Sequence, residues 1–451
     1  MNRVLYYTCH HPRADAAFWG ETRRHLAGRG HSLTILGTPG DPTLAPEDGP
    51  LAVWTPRSTT QLRHHLEDHL DWSHLETCAR GYGEPFDRER VLDEALSLLL
   101  QLAIERPRLL LLYNDRRRLG NLLRQLAVRY RLPFLVVERL PWPGWISVDP
   151  DGMLLDCSFL RLPPAPDTAA LARVADFERL AGKNASTWWA QPRSSATELR
   201  QLLPAGKKIL LFVHQVDQDA QNFAYNPHFA DNASALAWTL GQLPADGSVF
   251  ILGKHHPKAP SPPALYQGIL GRRGLWTSEH AIEDCLAAAD AIIAVNSSLL
   301  FEAILTGKPV ASLGRTMLDH AQVFARLESP ADHGFVSRLL ATPAAELQLR
   351  LERYRHHTAH AFAHAFCLRH EASPTTRDRG PAALAEHIIA ACARAPLGDT
   401  DLLTRDAQDV LHSTLELHSA LARSRLVRGA RALGRALAPV RKILSRLPGR
   451  P

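Results

Sequence analysis

The chain has 451 residues, 45% hydrophobic and 22% charged, a length beyond what one hydrophobic core ordinarily serves, so two domains with an appendage are expected. Its net charge of +6 lies wholly in residues 401–451, where ten Lys and Arg face four acids; a uniformly basic, nucleic-acid-binding protein is excluded, and the excess points to an anionic surface at the C-terminus. The six cysteines are scattered without a Cys-x-x-Cys pair, and no apolar run reaches the roughly eighteen residues of a membrane span, so a reduced, cytoplasmic compartment is expected.

In chain order, residues 4–8, 32–36, 109–114 and 133–138 are apolar runs that predict buried parallel strands, and 14–27 and 119–130 predict helices between them. The first strand starts almost at the initiator Met, which leaves no room for a signal-peptide core. A Pro-, Ala- and Ser-rich stretch, 163–204, reads as a linker containing one helix. A second alternation follows, with strands at 208–214, 249–253, 291–295 and 310–313 and helices at 233–243, 282–288 and 299–306. Further helices are predicted over 344–366 and 381–395. The division is 1–162 for an N-terminal Rossmann-like acceptor domain, 163–204 for the linker, 205–398 for a C-terminal donor domain and 399–451 for a helical tail. Two such domains facing a cleft would bind ligands at strand C-termini.

Chemistry-bearing residues collect at those strand ends. Gln215, Asp217, Asp219 and Gln221 follow the first strand of the second domain, where a carboxylate could attack a sugar. A solvated turn explains the same polar run, and Asp217-x-Asp219 also has the form of a weak metal-nucleotide motif. Lys254, His255, His256 and Pro257 leave the next strand; adjacent histidines without a third spaced ligand argue against a metal site. Asn296, Ser297 and Ser298 open a helix whose N-terminal donors and dipole would stabilise a phosphate. Glu302 lies one turn in, within reach of ribose hydroxyls or simply complementing the dipole, and Gly307, Lys308 and Pro309 stop that helix. In the first domain Glu138 ends a strand and is followed by Trp142 and Trp145, aromatics that would suit a sugar surface or be partly buried. Asp149-Pro150-Asp151-Gly152 marks a turn before Asp156, and His10, His11 and Asn114 end strands on the same rim.

Taken together, Gln215-Val216-x-x-Asp219, the Lys254 to Pro257 stretch, Asn296-Ser297-Ser298 with Glu302-Ala303, and Gly307-Lys308-Pro309-Val310 resemble the bacterial capsule and lipopolysaccharide transferases of 3-deoxy-manno-octulosonic acid (Kdo), over roughly residues 130–316. The resemblance implies an α/β fold of the GT-B type and a retaining β-Kdo transferase that uses CMP-Kdo. It implies that His256 holds the CMP phosphate, Ser297 and Ser298 close on it, Glu302 takes the ribose and Asp219 is the nucleophile, with Glu138 as a second catalytic carboxylate. Lys254 and Asn296 join the nucleotide site; Gln215, Asp217, Gln221, His10, His11 and Asn114 line the donor and acceptor cleft. No metal and no cofactor are expected. His255 departs from the family's Lys-Pro-His-Pro.

After residue 399, Leu426, Ala430, Leu433, Leu437, Val440, Leu444 and Leu447 share one helical face, and Arg428, Arg431, Arg435, Lys442 and Arg446 lie opposite. Residues 423–447 are therefore expected to lie on an anionic membrane surface, which makes the protein peripheral on the inner membrane, acting on a lipid-linked glycan. Leu403, Val410 and Leu417 are seven apart, a signature of self-association through 402–421. Alternatives are a sialyltransferase-like CMP-sugar enzyme, a UDP- or GDP-sugar transferase, and a non-catalytic nucleotide- or polyanion-binding protein.

Overall fold

The computed structural model describes residues 2–8, 13–37, 49–50, 66–164, 168–184, 196–217, 219, 222, 224–368, 379–394, 402–403 and 405–408. The elements of the first part are β1 (Asn2–Tyr7), α1 (Arg13–Ala27), β2 (His31–Gly37), β3 (Gly49–Pro50), α2 (Trp72–Gly81), α3 (Arg88–Glu105), β4 (Leu109–Tyr113), α4 (Arg118–Arg129), β5 (Phe134–Arg139) and β6 (Trp145–Asp149). Next come α5 (Thr168–Asn184), α6 (Ala196–Leu202), β7 (Lys208–Val213), α7 (Asn232–Gly241), β8 (Val249–Lys254), α8 (Pro263–Leu270), β9 (Gly274–Thr277), α9 (Ile282–Ala288) and β10 (Ala291–Ala294). The remainder is α10 (Leu300–Ala303), β11 (Val310–Ser312), β12 (Ala325–Arg326), α11 (Phe335–Leu340), α12 (Ala344–His364), β13 (Phe366–Cys367) and α13 (Pro381–Arg394).

The predicted pair of α/β domains is present as two sheets. One runs β13-β6-β5-β4-β1-β2-β3 and the other β12-β11-β10-β7-β8-β9. In the first sheet β3, β2, β1, β4 and β5 are parallel, and β13 is antiparallel to β6. Every neighbouring pair of the second sheet is parallel. Parallel strands are covered on both faces, which is why these runs are almost wholly apolar. Alternate residues of β7 show it: Ile209, Leu211 and Val213 enter one core with Trp142, Trp145 and Phe362, while Leu210 and Phe212 enter the other with Leu236 and Tyr266. In the first sheet, Leu5, Tyr7, Leu110 and Leu112 pack with the leucines of α3, and Tyr6 stacks on Trp19 of α1 at 4.2 Å.

The compact units do not follow the sequence division. One contains 1–80, 84–137 and 381–451, and the other 81–83 and 138–380. The division falls inside β5, so the stretch 138–162, assigned above to the N-terminal domain, groups with the second sheet: Trp142 and Trp145 are fully buried in its core. The aromatic sugar surface expected there is therefore structural packing. Helix α13, placed above in the donor domain, returns to the first unit, where Arg29 pairs with Glu386 at 2.8 Å and Arg108 donates to the Cys392 carbonyl. Leu403 and Ala407 are buried in that unit's core, so Leu403 is not available to a coiled-coil seam. Val410, Leu417 and the basic segment 423–447 lie outside the described residues. Among the described residues no helix is long and apolar enough to cross a membrane, and Cys78, Cys157, Cys285, Cys367 and Cys392 are buried.

Candidate functional site

In the second sheet the chain builds outward from β7 through β8 to β9, then returns to the other side of β7 with β10, β11 and β12. The reversal between β7 and β10 is the topological switch point, where the two connecting loops diverge and leave a crevice at the strand C-termini. Gln215 leaves β7 and Asn296 leaves β10, and the two side chains span this point. The Gln215 amide donates to Asn296 Oδ1 at 2.7 Å, and Gln215 Oε1 accepts from the Asn296 N–H at 2.9 Å. Both polar ends of Gln215 are thus occupied, and the expectation that it lines the donor site gives way to a tie between two loops.

Asp217 is also committed. Its carboxylate accepts from Ser261 Oγ at 2.6 Å, Asn232 Nδ2 at 2.7 Å, Tyr266 OH at 3.2 Å and His214 Nε2 at 3.3 Å. Burial opposes ionisation, but the bonds from His214, Ser261 and Asn232 outweigh it and hold the carboxyl well below the usual carboxylate range. A carboxylate with this many donors is a poor metal ligand, and no group of three or more metal-ligating side chains occurs among the described residues. Asp219, two residues on, is half-buried in a turn closed by its N–H to Val216 O and by Asn222 N–H to Asp219 O. Gln221 lies outside the described residues.

The end of β8 and the loop after it separate three basic residues. Lys254 is buried, its ammonium donates to the Ser278 carbonyl at 3.2 Å, and burial lowers its pKa; it braces the loop after β9 instead of facing a ligand. His255 is buried and accepts from the Trp276 indole at 3.2 Å, so its ring is a packed part of the wall. His256 is more open. Its Nδ1 accepts from the Lys258 N–H at 3.1 Å, which places the proton of the neutral ring on Nε2. Burial, followed by the charges of His214 and Lys258, lowers its pKa to about 4, so at neutral pH it offers an N–H donor without a full charge. Lys258 is itself depressed, by burial and by Arg139. This cationic neighbourhood suits an anion, and Lys258 and Arg139 are residues that motif reading passed over; only their fold-dependent proximity marks them.

On the other side of the switch point, the predicted helix 299–306 is one turn, α10, continued by a 3-10 turn over Ile304–Thr306 that ends at Gly307 with φ +69°. So short a helix has little macrodipole, and local donors must do the work assigned above to its terminus. Ser297 Oγ accepts from the Leu299 N–H at 3.3 Å, Ser298 is exposed, and neither the Ser297 nor the Ser298 N–H donates to a described residue. Glu302 has no hydrogen bond to its carboxylate among the described residues; burial, and then the charge of Glu283, raise its pKa to about 7. Lys308 donates to the Leu286 and Ala287 carbonyls, closing the C-terminus of α9.

The remaining expected residues fall elsewhere. Glu138 is buried at the end of β5 and accepts from the Arg139 N–H at 2.7 Å. Asp149 is a turn-former that accepts from Ser158 N and Oγ and from Asp151 N, and Asp156 accepts from Tyr225 OH at 3.0 Å. Asn114 belongs to the other unit, at the switch point between β1 and β4, with φ +52°. His10 and His11 lie outside the described residues.

Residues 167–323 match the family model described as capsule polysaccharide biosynthesis protein. The matched segment contains β7 to β11 and every strand-end residue of the second sheet described above. Among solved structures, a KpsC β-Kdo 2,7 transferase from Thermosulfurimonas dismutans is 17% identical over 59% of this chain and 86% of its own, with a TM-score of 0.34. The β-Kdo 2,4 transferase of KpsC from that organism is 16% identical over 51% and 78%, with a TM-score of 0.38. A UDP-GlcNAc 2-epimerase from Neisseria meningitidis is 12% identical over 87% and 100%, also at 0.38. No protein with a curated description matches the chain.

Proposed function

We propose that the chain is a retaining glycosyltransferase that moves β-Kdo from CMP-Kdo to a lipid-linked surface polysaccharide at the cytoplasmic face of the inner membrane. The observation that carries this reading is the switch point held by Gln215 and Asn296, with Ser297, Ser298 and Glu302 on one side and His256 on the other. The match of residues 167–323 to the capsule biosynthesis family supports the chemical class.

In this mechanism the CMP phosphate accepts from His256 Nε2–H and from the Ser297 and Ser298 N–H groups, and Glu302 accepts from the ribose hydroxyls. Asp219 attacks C2 of Kdo as the C2–O bond breaks, and the electron pair leaves with CMP. Donors aimed at the departing phosphate favour this step because its charge grows as the bond lengthens. An acceptor hydroxyl then attacks C2, loses its proton to an assisting carboxylate for which Glu138 is the candidate, and frees Asp219; two inversions leave the configuration retained. No divalent cation is required.

The test is release of CMP from CMP-Kdo, with CMP-sialic acid and a UDP-sugar as parallel donors. Turnover of CMP-Kdo alone, unchanged by EDTA and lost in Asp219→Ala with CMP affinity preserved, is the expected result. Preference for another donor would replace the sugar assignment, and an active Asp219→Ala would remove the covalent step.

A further inference from the structure

We propose that Asp217 is a positioning residue that fixes the proton arrangement of His214 and, through His214 and Ser261, the placement of the loop bearing His256, without touching the substrate. The inference rests on the functional reading above and adds to it a residue whose carboxylate is engaged by four protein donors.

The four donors to Asp217 come from four places: His214 at the end of β7, Asn232 at the start of α7, Ser261 in the loop after β8, and Tyr266 in α8. Two of them bear on His256. Ser261 closes the loop that begins at His255, so its 2.6 Å bond to Asp217 pins the far end of that loop. His214 pins the near end, because its Nδ1 accepts from the His256 N–H at 3.4 Å. For Nδ1 to accept, the His214 proton must sit on Nε2, which faces Tyr266 OH at 2.8 Å and Asp217 Oδ1 at 3.3 Å. The proton assignments are then consistent along the whole chain. Ser261 and Tyr266 hydroxyls donate to Asp217, His214 Nε2–H donates to the Tyr266 oxygen, His214 Nδ1 receives the His256 N–H, and His256 Nδ1 receives the Lys258 N–H. The ring proton of His256 is placed on Nε2 by the Lys258 N–H alone; what Asp217 governs, through His214 and Ser261, is where that ring stands. An acceptor-only carboxylate at 217 keeps the Tyr266 and His214 protons pointing this way; an amide would turn its N–H either on Ser261 or on Asn232, Tyr266 and His214.

The experiment uses the full chain and measures CMP affinity calorimetrically for the wild type, Asp217→Asn, Ser261→Ala, His256→Ala and the doubles with His256→Ala. Asp217→Asn should weaken CMP roughly tenfold, the scale of one lost charge-assisted bond, and Ser261→Ala, a milder change that leaves three donors, by less. Neither should weaken CMP further once His256 is Ala, since coupled residues are non-additive. In parallel, imidazole nitrogen NMR should report His214 with its proton on Nε2 in the wild type and a mixed population in Asp217→Asn. Wild-type affinity in both single variants, additive losses, or an unchanged His214 tautomer would overturn the proposal. A wild type that fails to bind CMP while the His214 tautomer still responds to position 217 would sink the functional reading and leave the positioning role standing.

Discussion

Glu302 combines two properties that pull its titration in a definite direction. Its carboxylate is largely desolvated, with a pKa near 7, and no described side chain donates to it. Only the ionised form accepts from both hydroxyls of a ribose, so CMP affinity should fall as pH drops through 7, and Glu302→Gln should bind more weakly and without that slope. Folding stability takes the opposite sign. A folded pKa raised above the ordinary value of 4.5 makes the contribution complete below about 4.5 and progressively lost towards 7. Glu302→Gln should therefore melt higher than the wild type at pH 8 and alongside it near pH 4.5, as followed by circular dichroism. Equal melting temperatures at pH 8 would mean that Glu302 is hydrated. The position of Glu302 could be read from its distance to Ser298, because the relation is local. The commitment of Gln215 and Asp217 could not, because Asn296, Ser261 and Tyr266 reach them only through the strand order of the second sheet.

Strands β7, β8 and β10 were legible because buried parallel strands need unbroken apolar runs, whereas α3 was missed for a related reason. Its core-facing leucines, Leu96, Leu98, Leu99, Leu100 and Leu102, surround the helix instead of marking one stripe, so helical periodicity is blurred. The end of β8 shows how an element's packing reaches the site. A Cβ on Gly253 would lie 1.9 Å from Trp276, whose ring stacks on Tyr266 at 4.4 Å and whose indole donates to His255. The absent side chain makes room for that indole. Gly253→Ala should cost about 1–3 kcal/mol through overpacking and disturb the loop bearing His256. Reduced urea midpoint together with a changed near-ultraviolet tryptophan signal checks this; wild-type values in both would show that Trp276 shifts at no expense.

Removal of the basic tail has a boundary set by the first unit. Tyr130 OH donates to Asp406 at 2.8 Å, and Leu403 and Ala407 are buried with Leu122 and Leu126 of α4. A chain ending at 400 therefore loses core and strands the Tyr130 hydroxyl, while one ending at 422 loses only the segment whose charge and apolar stripe suit an anionic leaflet. The longer truncation should lower the melting temperature or abolish soluble expression. The shorter should keep activity on small acceptors and lose binding to anionic vesicles. If the chain ending at 422 binds those vesicles as the full chain does, the tail is not the membrane anchor. The return of 381–407 to the first unit also fixes an order of events during synthesis. The second unit is continuous from 138 to 380 apart from a three-residue contribution at 81–83, so nearly all of it has emerged before the first unit possesses its last helix. The N-terminal part of the first unit, although made first, must wait with α1 and α4 incompletely covered until α13 and then Leu403 and Ala407 have emerged. Nascent chains stalled before residue 380 should then be protected from protease in the later-made unit and cleaved in the earlier one, the reverse of the usual N-to-C sequence of maturation.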